Sequence, residues 1–80
     1  MNITFKEGKM TENRIKFLKT IKDLNEIDFR GVCNVGSLKM DIVEPGILFL
    51  LKNKLITPTG GGYFKVSDLG EDYLRSLPKK

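Results

Sequence analysis

Three consecutive glycines, Gly60-Gly61-Gly62, stand between two short segments that each read as a strand. Glycine has no Cβ and takes left-handed backbone angles freely, so the triplet is a tight reversal. Tyr63-Phe64-Lys65-Val66 alternates in polarity and returns from it as one strand. Ile56-Thr57-Pro58-Thr59 leads into it, and Pro58, which lacks a ladder donor, confines that strand to a sheet edge. Between Thr11 and the hairpin the chain reads as helices, so it is expected to be α+β. Its length of 80 residues fits one domain and no second. Residues 1–10 are expected to form an N-terminal arm and residues 11–78 the folded domain.

In the arm, Ile3 and Phe5 alternate with polar neighbours, as in a short strand or a frayed terminus. Thr11 is a suitable N-cap for a first helix over about residues 12–25. Phe17, Leu18, Ile21 and Leu24 share one side of it, with Lys16, Lys19, Lys22 and Asp23 opposite. Asp28 caps a second helix, about 29–35, burying Phe29, Val32 and Cys33, with Gly36 at a left-handed closing position. The turn Ser37-Leu38-Lys39-Met40 follows. A third helix runs to about Lys54, with Val43, Ile47, Leu50 and Leu51 as its buried stripe. It opens either at Asp41, in a capping box with Glu44, or at Pro45 after a separate turn. After the hairpin, Asp68 with Glu71 forms a further capping box for a last helix of about 69–77 that buries Leu69, Tyr73 and Leu77 and ends at Pro78.

Several function classes are excluded or disfavoured. With a single cysteine, Cys33, there is no internal disulfide, and Cys33 reads as a small buried apolar residue. With no histidine, the usual zinc combinations and the commonest base for a serine or cysteine nucleophile are missing. No phosphate loop, dinucleotide glycine pattern or calcium loop is present. The expectation is a protein that is not an enzyme and takes no cofactor, metal or small-molecule ligand. The longest apolar run, Ile47-Leu48-Phe49-Leu50-Leu51, is far too short to span a bilayer, and the start of the chain lacks a signal-peptide pattern. A soluble, cytoplasmic protein is expected. The net charge is +4, with six basic residues against two acidic ones between Lys6 and Lys22. Such an excess is either an electrostatic footprint for nucleic acid or a solvated helix face.

The order is helix, short helix, turn, helix, hairpin, helix. Leu50-Leu51-Lys52-Asn53-Lys54-Leu55-Ile56, the glycine-tipped hairpin and Tyr63-Phe64-Lys65-Val66-Ser67-Asp68-Leu69-Gly70-Glu71-Asp72-Tyr73-Leu74 carry a resemblance. They are similar to the closing half of small bacterial, archaeal and viral winged helix-turn-helix regulators, whose pattern is met here by Tyr63, Val66, Ser67 and Gly70. The resemblance covers about residues 11–77 and implies a three-helix core, a two-stranded wing and a C-terminal helix. It also implies double-stranded DNA as partner, the third helix in the major groove and the wing on the backbone or minor groove. Contacts carried over by position fall on Ser37, Lys39, Asp41, Ile42, Pro45, Gly46, Phe49 and Lys52, and in the wing on Thr59, Gly61, Tyr63 and Lys65.

The third helix departs from that pattern. Opposite its core stripe, the expected outer face carries Ile42, Pro45, Gly46, Phe49 and Asn53, where a DNA reader wants arginine, lysine, asparagine or glutamine. Asp41 and Glu44 near its start repel phosphates. Three readings stand open. The chain binds DNA as a small transcription-regulator-like factor through Lys16, Lys19, Lys22, Arg30, Ser37, Lys39, Lys52, Thr59, Tyr63 and Lys65. Alternatively, Ile42, Pro45 and Phe49 form a protein interface for an adaptor, inhibitor or homodimer. In the third, the arm folds back so that Ile3 and Phe5 cover Phe49. Tyr63 either stacks on a nucleotide or packs across the strands.

Overall fold

Thr11 starts the first helix in the manner its side chain allows. In the computed structural model, which describes residues 8–77, its hydroxyl accepts the Arg14 N–H at 3.2 Å and α1 runs Glu12–Leu24. Phe17, Leu18 and Ile21 are buried, and Lys16, Lys19 and Lys22 stand on the solvent side. Leu24, expected in the core, is exposed. Ile3 and Phe5, and Pro78 as the stop of the last helix, lie outside the described residues.

After α1 comes a two-residue strand, β1 (Ile27–Asp28), which is too short for alternation to reveal in the sequence. Asp28 then caps α2 (Phe29–Gly36), its carboxylate accepting the Gly31 N–H at 2.8 Å. The left-handed closing residue is Ser37 (φ 54°, ψ 42°) rather than the expected Gly36. Leu38 N–H reaches back to the Cys33 carbonyl at 3.0 Å, which closes the helix in a Schellman arrangement.

α3 spans Met40–Lys52 as one helix through Pro45. This settles the open question of its start, and neither expected start is found. The N-cap is Lys39, which makes no side-chain cap bond, so Asp41 is inside the first turn and not a capping residue. The Ile42 and Val43 N–H groups both reach the Lys39 carbonyl, at 3.0 and 3.1 Å. Pro45 lies just beyond this first turn and is exposed, so water can take the carbonyl its missing N–H leaves open.

β2 (Ile56–Gly60) and β3 (Tyr63–Val66) form the hairpin, and the sheet order is β1-β3-β2, antiparallel throughout. Pro58 therefore sits on an edge strand, as its chemistry requires. Ile56 pairs with Val66, Thr57 with Lys65 and Pro58 with Phe64, and a bulge at Thr59 brings Gly60 opposite Tyr63. Gly61 and Gly62 both have positive φ, 61° and 84°, so the reversal uses the freedom that only glycine has at low cost.

α4 covers Asp68–Ser76. Its cap is Ser67, whose hydroxyl accepts the Gly70 N–H at 3.1 Å, rather than the expected Asp68. Leu69 is exposed, while Tyr73 is half-buried against the core. That core joins Leu18 and Ile21 of α1, Val32 of α2, Val43, Ile47 and Leu50 of α3, Leu55 just before the hairpin, and Ile56 and Phe64 within it. Phe29 meets the Phe64 ring edge to face at 5.4 Å. Cys33 is half-buried at its margin. Among the described residues no buried side chain is polar or charged.

Candidate nucleic-acid interface

α2, the turn Ser37-Leu38-Lys39 and α3 form a helix-turn-helix unit, and packing decides which side of α3 stays open. Val43, Ile47 and Leu50 face the core. A second flank is covered as well. Gly46 is buried where the Phe17 ring of α1 crosses it, close enough that a Cβ there would lie 2.6 Å from the ring. Phe49 is only 6% exposed, and the Arg14 guanidinium carbon lies 4.2 Å from its ring centroid. Arg14 also donates to the Lys9 carbonyl at 2.8 Å, and the backbone at Gly8 passes against the same ring.

This corrects the expected outer face. With an apolar stripe on two flanks, the open arc is centred about a quarter-turn from where opposition to one stripe placed it. It carries Asp41, Glu44, Pro45, Leu48 and Lys52, all exposed. Phe49 and Gly46 are core, not interface, while Ile42 (49% exposed) and Pro45 remain outside. Leu48, 51% exposed, is the side chain the sequence reading missed. Gly46 was the available signal, since a small residue in a helix face permits another helix to approach closely. Asn53, expected outside, is half-buried and its amide donates to the Phe49 carbonyl at 3.0 Å.

The cationic residues fall into separate groups. Arg30 near the start of α2, and Ser37 and Lys39 in the turn, are exposed on the helix-turn-helix unit, and Lys52 is in the last turn of α3. Lys16 and Lys19 project from the side of α1 opposite Phe17 and Leu18, so they are not brought together with the open arc of α3. Lys22 is bound to Glu71 of α4 at 2.7 Å, and this hydrogen bond and charge hold the Glu71 carboxyl below its ordinary pKa. In the wing, Thr59 lies at the bulge and Tyr63 is 44% exposed beside Gly60 and Asp28, while Lys65 points away from the buried Phe64. Lys65 shares a cleft of about 530 Å³ with Lys22, Asn25, Thr57, Asp68 and Glu71, so this wing cation stands among two acids.

Among the described residues, no group of histidine, cysteine, aspartate or glutamate side chains is arranged to hold a metal ion. No helix among them is long and apolar enough to cross a membrane.

No family model matches the chain, and no curated protein matches it. Among solved structures, the crystal structure of the reduced form of MarR from E. coli superimposes with a TM-score of 0.78 over 84% of this chain, at 15% sequence identity. The chain spans about half the length of that protein, matching 50% of it. At so low an identity the likeness is one of fold, and the fold is a winged helix-turn-helix: α2 and α3 the helix pair, β2 and β3 the wing.

Proposed function

We propose that this winged helix-turn-helix domain binds double-stranded DNA as a small transcription-regulator-like factor, with α3 toward the major groove and the β2–β3 wing along the backbone. One observation carries the reading. The fold covers α3 on two flanks yet leaves one arc open, next to an exposed turn bearing Lys39. The fold likeness to MarR supports the same class. Arg30, Lys39 and Lys65 contribute phosphate contacts, with Lys52 at the far end of α3 and Ser37, Thr59 and Tyr63 as polar contacts. Asp41 and Glu44 repel phosphate and so restrict where the backbone can run. Lys16, Lys19 and Lys22 contribute to the long-range field of a chain with net charge +4, rather than to the contact surface.

The test is fluorescence anisotropy with a mixed-sequence duplex at low and moderate salt. Binding in the micromolar range that falls steeply with salt, about what nonspecific phosphate contacts give, is the expected result. An affinity that ignores salt contradicts the reading.

A second reading has its own observation. Met40, Ile42 and Leu48 are 42, 49 and 51% exposed, an apolar surface of the kind protein interfaces use. In that reading the chain is an adaptor, inhibitor or homodimer that docks through Ile42, Pro45 and Leu48. Absence of duplex binding at low salt, together with association that Leu48→Asp abolishes, favours it over DNA.

A further inference from the structure

The open arc of α3 has an unusual chemical inventory for a groove-facing surface. From Asp41 to Leu48 it presents two carboxylates, Asp41 and Glu44, and the apolar side chains of Ile42, Pro45 and Leu48. Guanine is read in the major groove by donors to O6 and N7, usually arginine or lysine. Adenine is read by asparagine or glutamine, which pair with N6 and N7 together. None of these side chains occurs in that stretch of the arc, and the Asn53 amide nearby already donates to the Phe49 carbonyl. What remains is acceptors and hydrocarbon. Carboxylates accept from the cytosine N4 amino group, and hydrocarbon packs on the thymine C5 methyl. Both targets are on pyrimidines.

On the premise that the domain binds duplex DNA, we infer that Leu48 is a specificity-determining residue that reads the 5-methyl group of thymine in the major groove. Leu48 sits at the centre of the arc, flanked along the helix by Pro45 and Lys52 and half exposed. A contact there removes the leucine side chain and the methyl from water together, and the gain is proportional to apolar area. The stretch from Asp41 to Leu48 has no donor for guanine O6 or N7, and the nearest cation on the arc, Lys52, lies one turn further on, so a thymine is favoured over a guanine where Leu48 itself lies. Glu44, one turn before Leu48, accepts from cytosine N4 at an adjoining step.

The probe is a duplex selected from a randomised pool by the wild-type protein, compared with its twin in which uracil replaces thymine and only the methyl groups are lost. Anisotropy titrations are run on the wild type and on Leu48→Ala, with thermal melting to establish that the exposed substitution leaves the fold intact. The wild type is expected to prefer the thymine duplex about fourfold for each methyl contacted, the worth of burying one methyl-sized group. Leu48→Ala is expected to bind both twins with nearly one affinity. If the wild type binds both alike while keeping salt-dependent affinity for duplex, methyl readout is overturned and the DNA reading stands. A preference for the thymine twin that survives in Leu48→Ala also overturns the role of Leu48. If no duplex is bound at low salt, the DNA reading fails and this inference falls with it.

Discussion

The guanidinium of Arg14 lies over the ring of Phe49, 4.2 Å from its centroid, and so joins the start of α1 to the last turns of α3. The same side chain donates to the Lys9 carbonyl, which holds the chain entering α1 against that seam. Phe49 is thereby part of the core. Phe49→Ala is expected to cost about 3–5 kcal/mol, and Phe49→Asp to unfold the domain, as read by urea denaturation. A surface aromatic would leave the midpoint unmoved. Arg14→Ala, which removes the cation over the ring, its stem and the donor to the Lys9 carbonyl, is expected to cost about 1–2 kcal/mol.

Ser37 pays for its left-handed conformation. At φ 54° its Cβ is crowded by its own backbone, and Gly36, one residue earlier, does not relieve it. Ser37→Gly should raise stability by about 0.5–1 kcal/mol, seen as a higher denaturant midpoint at an unchanged slope. A loss of stability would mean that the serine side chain contributes more than its backbone strain costs.

Gly70 is buried at the start of α4, where a Cβ would run into the Leu55 carbonyl oxygen and lie 2.8 Å from Val66. The obstacle is backbone, which cannot rotate away. Gly70→Ala is expected to destabilise by about 1–3 kcal/mol. Ser67→Ala, which removes the cap at the same helix start and the hydroxyl's bond to the Lys54 carbonyl, should cost about 1–2 kcal/mol. Calorimetric melting of the pair ranks them, and equal melting temperatures to the wild type would contradict both contacts.

The Lys22–Glu71 pair makes stability depend on pH in one direction. The Lys22 hydrogen bond and charge lower the Glu71 pKa from its ordinary value of 4.5. A carboxyl with a lowered folded-state pKa stabilises the fold above its unfolded value and loses that contribution as pH falls through the folded value. The difference in midpoint between wild type and Glu71→Gln should therefore be largest near neutral pH and close in acid. Both side chains are well exposed, so the effect is small and shrinks in high salt. A gap that stays constant down to acid pH would rule out the ion pair as its source.

The separation of the cations gives a direct comparison for the DNA reading. Lys39→Gln, in the turn, is expected to reduce the slope of log affinity against log salt by about 1. Lys19→Gln, on the far side of α1, should leave that slope nearly unchanged. The reverse ranking would place α1 on the DNA and move the contact surface away from α3.

The helices, the edge strand and the hairpin were legible because each rests on local chemistry. Thr11 and Asp28 cap because a short side-chain oxygen reaches an N–H three residues on, and Gly61-Gly62 turn because only glycine accepts both angles cheaply. Asp41 and Asp68 met the same local rule and still do not cap, because the chain enters α3 and α4 one or two residues earlier, at Lys39 and Ser67. β1 left no trace in the pattern, since two residues pair with β3 only once the sheet exists. The site was the least legible part. Periodicity identified Val43, Ile47 and Leu50 as core, because a single apolar stripe shows in one helix. It could not say that α1 would cover Gly46 and Phe49 as well, since that depends on how two helices pack and how Arg14 and Phe17 meet them. Sequence by itself determined which segments are helix and which are hairpin; only the tertiary packing decided which side of α3 faces outward, because exposure belongs to neighbours far apart along the chain.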